Sequence, residues 1–566
     1  MCEKLQGELI MKRKSIFTFA MIAVLAVTSC VSGPQTKKVP GLYDWCGNVK
    51  YKSPHNSPTI EKNLKNQMAG LTADWYQNAQ FYHIWVKAFA DSDGDGCGDL
   101  KGITQKLTYI KDTVGCDAIW LSPIFDCDSK SVRPQDNMHG YDIVNYYDVN
   151  PCFGTMDDVE ELLREAHKIG IKVIFDFVPN HTSSKNQWFI DSFERKNKKE
   201  NWYMWNKEPL PWNPMGNKYT WHRNRTRYKA QDTQPYYYGA FWSGMPDLNF
   251  RNYEVREEMK NVIRFWLNKG FDGIRVDAVR YLVETPDSVK DTKETHQYFA
   301  EMREVVDKYS EFGYPKFMVC EAWITDDRVK MDEYFGTKEE PEFHMVFDFD
   351  AGRSIYNALN SSSNLSFINE LEVSSGKIYG SFLNNHDEYQ KRPASEFTDI
   401  QRQKLSAAAL LLRPQIPFIY FGNEYGQKNS NASGDMQYRY APDWAEIEKQ
   451  AKDNDSLLSY HKKLISIRNQ YPALRTGEFS VIPQVSENNS IAAYMLEKNG
   501  ERLICVFNFS DKNYGTIALN AGSLPAENAL CEKILGSDNA SASLAGGKIT
   551  LSNLPAYGVQ LYLLTL

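Results

Sequence analysis

Eight short, mainly apolar runs follow one another along the chain, and amphipathic stretches such as Met156–Ile169 and Tyr253–Lys269 separate several of them. Short apolar runs of this kind are typical of buried strands, and helical spacing between them indicates parallel strands joined by helices. The runs are Phe81–Phe89, Asp117–Ile124, Lys172–Val178, Gly273–Ala278, Phe317–Ala322, His344–Phe349, Ile378–Asn384 and Ile416–Phe421. This order predicts an α/β protein whose residues 76–180 and 251–476 form a (β/α)8 TIM barrel.

Two parts of the chain depart from this alternation. Residues 181–250 are too many for a connecting loop and lack helical spacing, so we expect an inserted subdomain after the third strand. After residue 476 the pattern changes to short alternating strands, among them Arg502–Phe509 and Gly558–Leu564. That change predicts a C-terminal antiparallel β-sandwich domain over residues 477–566.

The amino terminus has the pattern of an export signal. A basic stretch precedes the apolar run Ile16–Val27, which is too short to span a bilayer, where ~20 residues are needed. Residues 1–29 therefore predict a signal peptide, with Met11 as a candidate true start. Cys30 follows small residues, as in a bacterial lipobox, which predicts a lipid anchor and an exported, membrane-anchored lipoprotein; ordinary cleavage nearby is the alternative. The polar residues 30–75 predict a tether.

Composition narrows the class of protein. Apolar residues make up 42% and charged residues 24%, which is typical of a globular protein. The net charge of −7 argues against nucleic acid as a partner, because nucleic-acid binders normally carry a basic face. The chain is rich in aromatic residues, and six of its 13 tryptophans fall within residues 181–250. So small a unit is not expected to bury that many large rings.

Polar residues at the ends of the predicted strands carry the chemistry, because catalytic groups of such barrels project from the carboxyl ends of strands. Asp277, Glu321 and Asp387 follow the fourth, fifth and seventh strands. Each carboxylate alone is more typical of a surface or capping residue. Together they are expected at one mouth of the barrel.

Such a cluster suits glycoside cleavage, in which one carboxylate attacks the anomeric carbon and a second, protonated one donates to the leaving oxygen. Arg275 lies two residues before Asp277, so both side chains face the same side of the strand, and we expect its charge to keep Asp277 ionised. His181 and His386 are expected to donate hydrogen bonds to sugar hydroxyls.

Several ordered segments of this chain resemble the α-amylase family, glycoside hydrolase family 13. The segments are Ala118–Pro123, His139–Asp142, Asp176–His181, Gly273–Asp277, Val319–Ala322, Phe382–Asp387 and Ile416–Glu424. The resemblance implies that Asp277 is the nucleophile, Glu321 the general acid/base and Asp387 the transition-state stabiliser of a retaining reaction on α-glucans. The substrate-binding residues that we predict are Tyr141, Asp142, His181, Arg275, His386 and Arg392.

Two further positions indicate the branch of the family. Met245–Asn249, with the sequence MPDLN, resembles an exported α-amylase group between the oligo-1,6-glucosidases and the neopullulanases. Ala278 follows the nucleophile, where a small residue accompanies α-1,4 preference in the related glucosidases. Val279-Arg280-Tyr281 departs from the Lys-His pair of many α-amylases. We predict an α-amylase acting on starch-like or glycogen-like glucans; an exo-acting α-glucosidase, an oligo-1,6-glucosidase or a transglycosylase is the alternative.

The loop after the first strand carries four carboxylates in nine residues, Asp91 to Asp99. Carboxylates alternating with glycines suit a hard, oxygen-liganded cation. The loop resembles a calcium site of oligo-1,6-glucosidase-like members, which implies structural Ca²⁺ bound by the side chains of Asp91, Asp93, Asp95 and Asp99 and the backbone carbonyl of Cys97. A metal-free Asp/Gly turn is the alternative.

The remaining expectations concern partners. We expect a monomer that binds α-glucan and is lipid-anchored. Exposed rings beside the cleft would stack on glucose units, and the candidates are Trp202, Trp205, Trp212, Trp221 and Trp242. A non-catalytic glucan-binding lipoprotein is a competing class, but relatives of that kind usually lose one of the three acids, and all three are present here.

Overall fold

Eight parallel strands of the described chain close into a barrel, and each predicted apolar run supplies one of them. The strands β1 to β8 are Phe81–Ile84, Ala118–Leu121, Lys172–Phe177, Gly273–Val276, Phe317–Cys320, Met345–Asp348, Tyr379–Ser381 and Ile416–Tyr420. They follow one another around the barrel in sequence order, and β8 pairs with β1. The predicted TIM barrel is therefore confirmed. The first strand is shorter than its apolar run, because the chain turns helical at Val86–Phe89.

The computed structural model describes most of the chain after residue 39. The described residues are 40–55, 59–60, 64–128, 139–223, 235–372, 374, 376–387, 389–486, 488–522 and 530–565. The predicted signal peptide and Cys30 lie outside them. Within these ranges no helix combines the length and the apolar character that crossing a membrane requires.

Helices connect the strands. The two helices predicted from amphipathic spacing are confirmed as Met156–Lys168 and Tyr253–Lys269, and each begins at a capping side chain, Thr155 and Asn252. The other α-helical segments of the described residues are Val86–Phe89, Leu100–Gln105, Gln187–Phe193, Lys293–Glu311, Arg328–Asp332, Phe349–Ser361, Leu365–Asn369, Pro393–Glu396, Ile400–Leu411, Trp444–Gln450, Leu457–Gln470 and Ala473–Thr476. Shorter 3-10 or π-helical turns are Trp75–Asn78, Tyr109–Val114, Val279–Tyr281, Glu333–Phe335, Asn423–Tyr425 and Gly434–Gln437.

Side chains alternate between the inside and the outside of the barrel. Inward-facing rings such as Phe81, Trp120 and Phe418 form a core inside the strands, and Phe81 stacks on Phe418 with ring centroids 4.3 Å apart. The intervening residues pack outward against the helices in the main hydrophobic core. The filled interior means that ligands are confined to the ends of the barrel.

The described part of the predicted tether is folded against the barrel, so that prediction is wrong for these residues. The Cys46 N–H donates to the Arg251 carbonyl over 3.3 Å, and the Tyr51 hydroxyl donates to Glu258 over 3.2 Å. Trp75 is buried in the core inside the barrel. Aromatic side chains scattered along this segment anchor it to the barrel. The segment is polar on average, so its composition alone predicted a tether.

The region between β3 and β4 forms the inserted subdomain. It contains the helix Gln187–Phe193 and a three-stranded antiparallel sheet in which Tyr236–Tyr238 lies between Trp205–Asn206 and Trp221–His222. A short hairpin after β2 pairs Phe125–Cys127 with Ile143–Val149. Both additions lie on connections that follow the carboxyl ends of strands, where they border the candidate site.

Two antiparallel sheets form the C-terminal domain. Its strands β9 to β16 are Glu478–Val481, Ile491–Lys498, Glu501–Asn508, Tyr514–Asn520, Leu530–Leu535, Ser541–Ala545, Lys548–Leu554 and Val559–Thr565. One sheet has the order β9-β10-β11-β16-β13 and the other β12-β15-β14, with a separate hydrophobic core that both sheets supply. The opposite face of the larger sheet packs on the barrel domain, where the Tyr494 hydroxyl donates to the Leu412 carbonyl.

Candidate active site

The backbone ladder of the barrel continues one residue past the strands at two of the predicted acids. The Asp277 N–H donates to the Phe177 carbonyl over 2.9 Å, and the Glu321 N–H donates to the Val276 carbonyl over 3.0 Å. The two carboxylates therefore stand on adjacent strands at the same end of the barrel. Asp387 follows β7 in a turn that the Asn385 side chain holds by accepting its N–H.

A cavity of about 1030 Å³ opens above these strand ends. It is lined by all three predicted catalytic acids, Asp277, Glu321 and Asp387, and by the predicted substrate-binding residues Tyr141, Asp142 and His181. Arg275 and His386 lie behind the cavity wall, where both are buried. The structure thus gathers residues from five separate barrel connections at one mouth.

Arg275 is the electrostatic centre of the site. Its guanidinium is buried and forms ion pairs with three carboxylates at 2.6–2.8 Å, namely Asp176, Asp277 and Glu321. One positive charge facing three buried acids leaves negative charge uncompensated, so protons are favoured on this group. Asp176 also accepts a hydrogen bond from the Tyr141 hydroxyl over 3.1 Å.

The two neighbouring acids differ in protonation. Burial raises the pKa of Asp277 to about 6, with Arg275 opposing the shift. Burial raises the pKa of Glu321 to about 8, again against Arg275, and the negative charge of Asp277 adds to the rise. At neutral pH Asp277 is mainly ionised and Glu321 mainly protonated, which is the division of roles that a nucleophile and a general acid require.

The residue that follows Asp277 has an unusual backbone. Ala278 adopts a left-handed conformation, with φ 51° and ψ 34°. Its N–H donates to the Glu321 carboxyl over 3.3 Å. This backbone conformation thereby lets a residue that follows the Asp277 strand contact the Glu321 carboxyl.

Both predicted histidines are neutral. Burial lowers the pKa of His181 to about 3, and it lowers the pKa of His386 well below its usual value. His181 lines the cavity, and its Nε2 has no partner among the described residues. The Nε2 of His386 instead contacts the Tyr141 hydroxyl at 2.7 Å and the Asp387 carboxylate at 3.4 Å. His386 therefore helps to position Tyr141 and Asp387, the two side chains that line the cavity in front of it.

The prediction that Arg392 binds substrate is wrong. Arg392 is buried away from the cavity lining, and it donates to the carbonyls of Phe421 and Tyr438 and to the Asn423 side chain. These contacts fasten the loop after β8. Arg392 lies five residues after Asp387 in the sequence, but its side chain turns into the protein.

Arg439 is a residue of the site that the sequence did not predict. It is buried, lines the cavity and donates to Asp387 over 2.9 Å and to the His386 carbonyl over 2.8 Å. Its guanidinium also lies 4.4 Å from the centroid of the Trp85 ring. Arg439 lies outside the segments that resemble the family, because it follows the 3-10 turn Gly434–Gln437, 52 residues after Asp387. No local sequence pattern identifies Arg439; its contacts with Asp387 and Asp435 come from the fold.

Most of the expected stacking rings are structural. Trp202 and Trp205 join the main core, and Trp212 and Trp221 pack with Tyr238 in a core of the inserted subdomain. The subdomain buries these rings because it packs against the barrel and the amino-terminal segment as well as on itself. Trp242 alone of the five candidates lines the cavity, and it is 49% exposed. Trp323, which follows Glu321, supplies a second exposed ring there.

The acidic loop partly matches the predicted calcium ligands. Carboxylate oxygens of Asp91, Asp93 and Asp99 lie within 4.8 Å of one another. Asp95 is outside this group, and its carboxylate accepts the Cys97 N–H over 2.7 Å. The three gathered side chains offer only oxygen donors, which fits a hard cation.

Comparison with known proteins agrees with this geometry. The model of the α-amylase catalytic domain matches residues 83–443. The chain is 34% identical over 473 residues to "Alpha-amylase 3" of Dictyoglomus thermophilum, covering 78% of this chain and 86% of that protein. It is 30% identical over 538 residues to an oligo-1,6-glucosidase of Parageobacillus thermoglucosidasius, covering 77% of this chain and 91% of that protein.

The fold comparison gives the same result. The crystal structure of an α-amylase from H. orenii superposes with a TM-score of 0.72 at 27% identity and covers 86% of this chain and 99% of that one. The family match spans the barrel and the three acids at its mouth. This chain therefore belongs to the α-amylase family of glycoside hydrolases, family 13, and is a glycosidase.

Proposed function

We propose that the enzyme hydrolyses α-1,4-glucosidic bonds of starch-like or glycogen-like glucans and retains the anomeric configuration. The observation that carries this proposal is the cavity of about 1030 Å³ lined by Asp277 and Glu321. The higher pKa of Glu321, about 8 against about 6 for Asp277, favours the proton on Glu321. This volume is at the upper end of ordinary ligand pockets, which fits more than one sugar ring.

The chemistry follows from the two protonation states. Asp277 attacks the anomeric carbon while Glu321 donates its proton to the leaving glucosidic oxygen, so the C–O bond breaks as a glycosyl-enzyme ester forms. Glu321, now ionised, takes a proton from water, and the resulting hydroxide oxygen displaces Asp277. Arg275 contacts both carboxylates and compensates the charge that moves between them.

The surrounding residues hold the sugar at the cleavage point. Asp387 is oriented by Arg439 and lies where it can accept hydrogen bonds from ring hydroxyls. His181 presents Nε2 to the cavity. Asn180 Nδ2 lies 3.4 Å from His181 Nδ1. In the tautomer with its proton on Nε2, His181 would accept from Asn180 and donate to a sugar hydroxyl.

The proposed preference for α-1,4 bonds rests on the small Ala278 beside the nucleophile and on Met245 in the cavity lining. A short side chain at this point leaves room for the aglycone angle of an α-1,4 bond, a modest steric effect. Exposed Trp242 and Trp323 supply flat faces for further glucose units of a longer chain.

Product analysis tests this proposal. We expect the protein, incubated with starch, to release mixed maltooligosaccharides early, because an open cleft allows internal bonds to bind. Isomaltose and pullulan, whose α-1,6 bonds differ in aglycone angle, are expected to be poorer substrates at these bonds. Release of glucose alone would show exo-attack, and accumulation of longer glucans from maltose would show transglycosylation.

We also propose that the loop Asp91–Asp99 binds one structural Ca²⁺. Asp91, Asp93 and Asp99 would hold it, and the ion would neutralise clustered negative charge. Asp99 links the loop to the following helix, because its carboxylate accepts the N–H groups of Ser92 and Gly102 at 2.8 and 2.7 Å. None of the aspartates of this loop lines the catalytic cavity, so the expected role is structural.

Removal of calcium is expected to lower the melting temperature of the protein, because an ion bound only by the native state stabilises it by mass action. The same loss is expected in Asp93→Asn without chelation, and chelation should then have little further effect. Asp538→Asn, which removes an exposed carboxylate in the C-terminal domain, is the matched control. An unchanged melting temperature after exhaustive chelation, with no calcium by elemental analysis, would establish the metal-free turn.

A further inference from the structure

A second cavity, of about 480 Å³, lies between the amino-terminal segment and the loop that follows β4. Its lining includes Tyr43 and Trp45 from the amino-terminal segment, Arg251, and Asp287 and Ser288 from the loop after β4. None of its lining residues lines the catalytic cavity. We refer to this cavity as the Trp45 groove.

Backbone hydrogen bonds hold the aromatic wall in place. The Tyr253 N–H donates to the Cys46 carbonyl over 3.0 Å, which complements the bond from Cys46 to Arg251. Gly47 has φ +95°, and a Cβ at this position would lie 2.1 Å from the Asn252 carboxamide oxygen. The segment therefore follows one defined path beside the barrel, and the groove is preformed.

Arg251 is a buried cation in the lining of this groove. The residue is 4% exposed, and Nη2 donates to the Glu284 carbonyl over 2.5 Å. Glu284 lies just before the groove residues Thr285 to Ser288. The bond therefore holds the guanidinium and this loop in one arrangement.

The aromatic wall remains accessible. Trp45 is 50% exposed and Tyr43 is 37% exposed. The Arg251 guanidinium lies 5.5 Å from the Tyr43 ring centroid and 5.7 Å from that of Trp45, and Arg256 lies 5.0 Å from the Trp45 ring. The two guanidinium groups hold the rings of Tyr43 and Trp45 in place, and a large part of each ring remains exposed to solvent.

The charges of the groove point to a neutral ligand. Arg251 and Lys293 are balanced by Asp287 and Glu294 in the same lining. This balance disfavours a phosphate or a carboxylate, and the polar lining disfavours a purely apolar ligand. Flat rings beside a guanidinium, a carboxylate and hydroxyl groups match the apolar face and the rim of hydroxyls of a pyranose.

We propose that the Trp45 groove is a second binding site for α-glucan, separate from the catalytic cavity; the ligand class rests on the proposed function. The connection after β4 borders both sites. Its Arg280 lines the catalytic cavity and pairs with Asp291 at 2.6 Å, and its Asp287 lines the groove. A polymer held in the groove is kept near the cleft, which raises its effective concentration there.

The test uses the full chain carrying Asp277→Asn, so that the probe, maltoheptaose, is not cleaved during titration calorimetry. We expect two classes of site. Trp45→Ala should weaken one of them by about five- to tenfold through loss of ring stacking, and Trp242→Ala should weaken the other. Phe312→Ala, which removes a comparably exposed ring at the end of the helix Lys293–Glu311, is the matched control and should leave both classes as they are.

With Asp277 intact, Trp45→Ala should lower kcat/KM on starch by a factor at least fivefold larger than on maltotriose. A single class of site, or a Trp45→Ala protein indistinguishable from Phe312→Ala, would overturn the proposal. If Trp45→Ala lowers the melting temperature, Asp287→Ala serves as the second variant, because Asp287 also lines the groove. It should weaken the same class of site, and unchanged binding in this variant would overturn the proposal. Failure of the proposed function is a separate result, since starch would then stay uncleaved while maltoheptaose still bound in a Trp45-dependent way.

Discussion

Replacement of Asp277 by asparagine is expected to lower kcat on starch by a factor on the order of 10⁴, because the attacking carboxylate is lost. Glu321→Gln removes the proton donor and should cause a loss on the order of 10²–10⁴. Both proteins should keep the native fold, since Arg275 retains two of its three carboxylate partners in each. Steady-state kinetics with melting curves measures both effects.

The pH profile separates the two roles. Activity needs Asp277 ionised, so it should rise as the pH increases through about 6, and it needs Glu321 protonated, so it should fall as the pH increases through about 8. On an aryl glucoside, whose leaving group needs little protonation, Glu321→Gln should lack the falling limb. Glu284→Gln, a buried acid outside the cavity lining, is the control and should change kcat less than threefold or so. Full activity in Asp277→Asn would contradict the assignment.

Replacement of Arg275 by methionine is expected to lower the free energy of unfolding by about 3–5 kcal/mol, because it leaves buried carboxylates without their counter-charge. Asp176, Asp277 and Glu321 all contact this one guanidinium. Arg275→Lys keeps the positive charge but loses the planar guanidinium, so its free energy of unfolding should fall less than that of Arg275→Met. Urea denaturation of the three proteins gives the comparison.

The sign of the pH dependence is also determined. Burial already raises the pKa of each of these acids above its unfolded value, and loss of Arg275 raises it further. The native protein then binds more protons than the unfolded chain, so stability falls as the pH increases through the interval between the two values. Arg275→Met should therefore lose more stability at pH 8 than at pH 5. Equal stability of this variant and the wild type at pH 8 would show that the three acids are compensated in another way.

Local patterns explain what the sequence could predict. Each apolar run corresponds to one barrel strand because a strand buried on both faces is apolar at most positions. The three acids were found because they directly follow such runs, and the barrel brings strand ends together whatever their sequence separation. Both predictions need only the chain's periodicity and the rules of the fold.

The failures depend on contacts between distant segments. Arg439 reaches Asp387 through a turn whose path no local pattern specifies. Arg392 lies near the motif but points into the loop after β8. Trp212 and Trp221 are buried because the subdomain packs with its surroundings, which an argument from the subdomain's own size cannot include.

The left-handed backbone at Ala278 limits how specificity at this position can be engineered. Alanine tolerates φ 51° at a cost of about 1 kcal/mol, whereas a β-branched residue there meets its own backbone more severely. A larger side chain introduced alone would change both the aglycone space and the geometry of the N–H that contacts Glu321. Exchange of substrate preference with a relative therefore requires grafting the whole turn from Asp277 to Tyr281, so that side chain and backbone are transferred together.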